Sequence, residues 1–158
     1  MKWLWKNENP DLPTNFGLAY RRLESLLSRF QNEQGLENLE KIDKTIKEQV
    51  KNGVIEQAFK RKGELEYYLP HHPVFKGEKI REVYNASART RGRKSLNDHM
   101  LRSPLKLPDL AGMIMRFRLS KFPLLADIEK AFLQIELEEP DREVTKFLWI
   151  KDIKTFNF

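Results

Sequence analysis

Asp127 closes the run Phe122, Pro123, Leu124, Leu125, Ala126, in which apolar residues crowd a short stretch, and an aromatic, Phe132, follows five residues later. A short apolar run of this kind fits a buried strand over residues 122–128 better than a helix. A carboxylate at its end is held rigidly yet open to water, as an oxygen ligand for Mg²⁺ must be. Nucleotidyl transfer needs such ligands, because two metal ions hold the attacking and leaving oxygens in line while charge develops at phosphorus. The plainer alternative is a strand-end aspartate that caps the next turn.

A second chemistry-bearing stretch is basic. Residues 76–94 carry Lys76, Lys79, Arg81, Arg89, Arg91, Arg93 and Lys94 against Glu78 and Glu82, which is five of the chain's six net positive charges. Residues 89–94 include Gly92 and no apolar side chain, so they read as a loop. Runs of charge are commonly solvated faces; beside a hairpin, this one suits a clamp on a phosphate backbone, giving affinity without sequence preference. His71 and His72 do not suit a metal site. Neighbours on an extended segment point to opposite sides, there is no cysteine, and His99 is the only other histidine.

These residues need elements to hold them. Residues 1–14, with Trp3, Trp5, Pro10 and Pro13, read as an extended arm. Thr14 or Asn15 is placed to cap a helix with Ala19, Leu23, Leu26, Leu27 and Phe30 on one face. Leu36, Leu39, Ile42, Ile46 and Val50 mark a second helix ending near Gly53. Together they predict a helical hairpin over residues 15–53.

From Val54 the pattern shifts to short β-prone pieces: residues 54–55, 73–75 and 80–84. The last two flank Lys76, Gly77, Glu78 and Lys79, a tight turn with glycine inside it. Leu107, Pro108, Asp109 and Leu110 signal a helix start, with Leu110, Ile114 and Phe117 as the buried face and Arg116 and Arg118 near the end. Residues 138–142 read as an acidic turn and 144–150 as a second strand.

The chain is α+β on this reading, polar and basic, and free of any disulfide or thiolate zinc site. No apolar run is long enough to span a bilayer, and the opening apolar stretch is too short for a signal peptide. The expected place is intracellular and cytoplasmic.

In order along the chain, Tyr68, Leu69, Pro70, His71, His72, Pro73 and Val74, then Ala86, Ser87 and Ala88, Ser95 to Asp98, Leu107 to Leu110 and Arg116, Phe117 and Arg118 resemble the reverse transcriptases of BEL/Pao-type LTR retrotransposons. Asp127, Ala131, Phe132, Gln134 and Ile135, followed by Leu137, Asp141, Arg142, Thr145 and Phe147, resemble the first catalytic motif of reverse transcriptases and the segment after it.

The resemblance implies a partial right-hand polymerase: the helical hairpin, fingers over residues 54–106, part of a palm over 107–150 and a divergent tail over 151–158. It implies that Asp127 and the Ile128 carbonyl hold Mg²⁺, and that the Lys130 and Ala131 amides face the triphosphate of a dNTP. It also implies that Arg81 contacts that triphosphate, through a guanidinium suited to paired phosphate contacts. Phe132 would exclude a 2′-hydroxyl. The implied partners are an RNA or DNA template-primer and the rest of a polyprotein, comprising the remaining palm, thumb, RNase H and integrase, within a virus-like particle in an intact element. No membrane is implied.

The sequence departs from the family in two respects. It has Val83, Tyr84 and Asn85 where the family usually has an aspartate, and no two aspartates are adjacent, so the aromatic-x-Asp-Asp motif is absent. One carboxylate does not hold two metal ions, and the expectation is a chain that does not polymerise DNA by itself.

Overall fold

The computed structural model describes residues 1–8, 10–59, 65–77, 79–102 and 108–153, with Glu33 described by its backbone alone. Glu78 in the predicted turn, Leu107 at the predicted helix start and the apolar tail residues Phe156 and Phe158 lie outside that set.

Helix α1 spans Phe16–Arg29 and buries Ala19, Leu23, Leu26 and Leu27, the predicted stripe. Asn15 stands before it in a left-handed conformation (φ 58°), which asparagine tolerates. Its side chain does not cap the helix. The amide donates to the Tyr68 carbonyl (3.2 Å) and the side-chain oxygen accepts from Thr90 Oγ1 (3.3 Å), tying helix start, strand approach and loop together.

Helix α2 spans Glu33–Lys51, and the Asn32 side chain accepts from the Gly35 amide at 2.7 Å. Leu39, Ile42 and Ile46 are buried, whereas Leu36 and Val50 at the two ends of the predicted stripe are exposed. The helix stops because Gly53 turns left-handed (φ 71°). The Gly53 amide then bonds the Val50 carbonyl, and the Val54 amide bonds that of Gln49, satisfying two terminal acceptors.

Strands β1 (His71–Lys76) and β2 (Lys79–Tyr84) form an antiparallel hairpin in which Lys76 faces Lys79 across the turn and Gly77 takes φ 60°. This is the predicted hairpin, with β1 beginning two residues earlier. Helix α3 is a single turn, Leu96–His99. Residues 54–55, expected as a strand piece, are a turn after α2.

Two small cores hold these elements. Leu23, Leu26, Leu27 and Leu39 join α1 to α2, and Leu148, Trp149, Ile150 and Ile153 pack against them. Leu12, Tyr67, Leu69, Leu96 and Val144 form the other, covered by Trp3, Trp5 and Met100. The arm is therefore docked. Trp5 pairs with Met100 in an isolated bridge, and Asp141 accepts from the Trp3 amide (2.6 Å) and Trp5 Nε1 (3.0 Å).

Residues 108–136 depart most from expectation. Helix α4 spans Leu110–Leu119, with Asp109 accepting from the Ala111 and Gly112 amides, yet none of its residues is buried. The predicted buried face of Leu110, Ile114 and Phe117 is exposed. Residues 122–128 form no strand, and Leu124 and Leu125 are 91% and 93% exposed. A strand needs a neighbour for its backbone groups, and no described segment pairs with this one.

Further along, a 3₁₀ turn covers Ala131–Gln134, and the predicted acidic turn is the short helix α5, Glu139–Arg142. Residues 144–150, read as a strand, make only a parallel bridge from Lys146 to Tyr68. The described residues are thus α+β, with five α-helices and one two-stranded antiparallel sheet. Among them, no helix is long and apolar enough to cross a membrane.

Candidate nucleic-acid interface

Residues directly opposite in an antiparallel pair share a face. The register, His71 with Tyr84, Pro73 with Glu82 and Phe75 with Ile80, puts these six on the inner face. His72 with Val83, Val74 with Arg81 and Lys76 with Lys79 form the outer face. All six outer residues are exposed, and three of them are cations with no acid among them. A one-residue slip would reverse both faces, so what fixes the inner face also fixes the basic one.

That anchor is a buried pair that sequence reasoning missed. His71 Nδ1 lies 3.0 Å from Glu82 Oε2 and its Nε2 lies 2.8 Å from the Leu148 carbonyl, with Tyr84, Phe147 and Trp149 around the ring. Both ring nitrogens thus have a buried oxygen partner, one on β2 and one on the 147–149 segment. Burial, reinforced by the Glu82 charge, pushes the Tyr84 phenol up to about 12. The pair joins β1, β2 and the 147–149 segment. The visible signal was two histidines at the head of a β-prone run; the partner follows only from the register.

A second buried charge cluster holds the other core. Lys146 pairs with Glu66 (3.0 Å) and Glu143. Burial opposes its charge, and the two carboxylates more than offset this, raising its pKa.

The basic loop is partly tied down. Arg89 pairs with Asp98 at 2.8 Å and Arg93 with Asp11 at 3.5 Å, while Arg91 and Lys94 are exposed and make no ion pair among the described residues. Asp98 is held at about 2 by hydrogen bonds from the Ser95 backbone and hydroxyl, partial burial opposing and Arg89 assisting. Among the described residues, the cations of this region without an ion pair are therefore Lys76, Lys79, Arg81, Arg91 and Lys94.

The expected metal ligands are elsewhere. Asp127 and Ile128 lie exposed in irregular chain after α4. Lys130 is left-handed (φ 51°) with its ammonium 3.8 Å from Glu129, and Phe132 is 91% exposed. Ala131 opens the 3₁₀ turn, and both it and Lys130 are exposed. Among the described residues, no group of three His, Cys, Asp or Glu side chains is placed to hold a metal ion. Mg²⁺ requires near-octahedral oxygen coordination, and a lone exposed carboxylate with one carbonyl does not fit it. Lys76, Lys79 and Arg81 of the predicted site share the outer face of the hairpin, while the loop cations are held near Asp11, Asn15 and Asp98, and no described contact joins Asp127, Ile128, Lys130, Ala131 or Phe132 to either group.

No family model, curated protein or solved structure matches the chain.

Proposed function

We propose that this chain is the fingers-type, nucleic-acid-binding portion of a BEL/Pao-like reverse transcriptase. In this reading it holds a template-primer through its phosphates and does not polymerise by itself. The observation that carries it is the register of the hairpin, which gathers Lys76, Lys79 and Arg81 on one exposed face, with no acid among the six paired residues of that face. Arg91 and Lys94, exposed in the loop that follows β2, are further cations available to the same phosphate backbone. These cations meet phosphate oxygens without reading bases, so affinity falls steeply with salt.

Partial right-hand polymerase architecture, magnesium and dNTP use belong to the same proposal, as properties of an enzyme in which further carboxylates join Asp127. Arg81 has a double assignment here, to the backbone of the strand in this chain and to a triphosphate in such an enzyme.

The test is fluorescence anisotropy with a labelled primer-template over a range of salt. The wild-type chain binds with a steep negative salt slope, and each of Lys76→Ala, Lys79→Ala and Arg81→Ala lowers that slope by about one. Asp127→Asn leaves affinity unchanged. Absence of binding at physiological salt, or binding indifferent to the three hairpin substitutions, overturns the proposal in favour of a protein-interaction domain.

A further inference from the structure

Between α1 and β1 lies a cleft of about 420 Å³, within the range of small-ligand sites. Arg22 and Arg29 border it from α1, His72 and Asn85 from the hairpin and the residue just after it, and Phe30 and Phe75 supply aromatic wall. No carboxylate is among its lining residues. Glu82, behind His71, is already engaged by that ring.

Every polar group at the cleft is equipped to donate. Arg22 and Arg29 are seven residues apart, about two turns, and so share a helix face. Neither makes an ion pair among the described residues, and Arg29 uses only its Nε, donating to the Ser25 carbonyl at 3.2 Å. The Asn85 side-chain oxygen accepts from the Ser87 amide at 3.1 Å, which leaves its NH₂ as the unused group. Phe30 and Phe75 meet edge to face, with centroids 6.5 Å apart. Donors alone select an acceptor-rich anion, and guanidinium forks match phosphate. The exposed Phe75 ring, backed by the half-buried Phe30, offers an aromatic surface that suits a flat ring.

We propose that this cleft binds a nucleotide unit, with its phosphate on Arg22 and Arg29 and its base against Phe75 and Phe30. Asn85, which departs from the aspartate usual in the resembling family, then has a physical role: a carboxylate there would stand in the cleft and repel the phosphate. The site shares only His72 with the outer face of the hairpin and none of that face's lysines or arginine. Phe75 belongs to the inner face, while Lys76, Lys79 and Arg81 belong to the outer one.

The same chemistry comes from a free nucleotide or from a nucleotide within a single strand, and the full chain is therefore titrated with dTTP and, separately, with labelled oligo(dT). Arg22→Ala with Arg29→Ala lowers affinity for the ligand that uses the cleft at least tenfold. Asn85→Asp does the same, and it retains the oxygen that accepts from Ser87, so circular dichroism and the melting curve stay as in the wild type. Sensitivity confined to dTTP assigns a free nucleotide, and sensitivity confined to oligo(dT) assigns a strand. Lys76→Ala and Lys79→Ala combined leave the dTTP titration unchanged, which separates this site from the two lysines of the hairpin turn. Indifference of both ligands to the Arg22, Arg29 and Asn85 changes overturns the proposal. So does inorganic phosphate competing as well as dTTP, or Phe75→Leu binding as tightly as wild type, since either removes the base from the site.

Discussion

His71 carries more of the structure than any other polar residue, because its two nitrogens join the two strands and the 147–149 segment at once. Removing one member of a buried hydrogen-bonded pair leaves the other polar group without compensation, at a cost of about 1–3 kcal/mol that rises to about 3–5 kcal/mol for a charged partner, whereas replacing both by apolar groups is often neutral. His71→Ala is accordingly expected to lower unfolding free energy by about 3 kcal/mol in urea, and His71→Leu combined with Glu82→Leu to recover most of that loss. A single-variant cost under about 1 kcal/mol would show that the pair does not anchor the register. The adjacent His72 is exposed, so the alternation expected of neighbouring residues in a strand explains why one histidine is structural and the other is free to meet a ligand.

Among the elements, the α1–α2 junction is the tightest. A Cβ built on Gly35 lies 2.6 Å from the Phe30 Cα and 2.8 Å from the Asn32 side-chain oxygen that caps α2. Helix propensity alone favours alanine over glycine by about 1 kcal/mol, but a forced backbone shift costs about 1–3 kcal/mol and also loosens the cap. Gly35→Ala is thus expected to destabilise, seen as a lower urea midpoint with little change in slope; a raised midpoint would mean that the junction relaxes freely. Both helices and the hairpin were legible in the sequence because their signals are local: Leu23, Leu26 and Leu27 repeat at helical spacing, and Gly77 marks the turn. Residues 122–128 were not. Leu124 and Leu125 look like strand residues by type, but a strand is completed by a partner elsewhere in the chain, and composition does not supply one. The Lys146 cluster was illegible for the same reason, since Glu66 lies 80 residues away.

At the scale of the whole molecule, the two cores are built from residues before 103 and after 136, and the intervening residues 108–136 add nothing to either. Residues 137–153 return to the body: Val144 enters one core, Trp149 packs on the other and donates to Asp43 at 3.0 Å, and Arg142 bonds Glu56 and the Leu137 carbonyl. The N-terminal residue holds the near edge, its ammonium donating to the Glu136 carbonyl and its own carbonyl accepting from Glu138. Local opening is easiest where few apolar contacts must be broken. Arg116, Arg118, Lys121 and Lys130 all lie in the unpacked stretch and are exposed. Brief trypsin treatment is therefore expected to cut at these four residues before the cations of α1 and α2, and the two large pieces, residues 1–116 and 131–158, to co-elute on size exclusion until denatured, because each contributes side chains to both cores. Separation of the pieces without denaturant would mean that residues 137–153 are held through the 108–136 stretch. Protection of those four sites would mean that the apolar side chains of α4 are covered, by a second copy or by a packing against the body that leaves Leu124 and Leu125 far less exposed than they stand here.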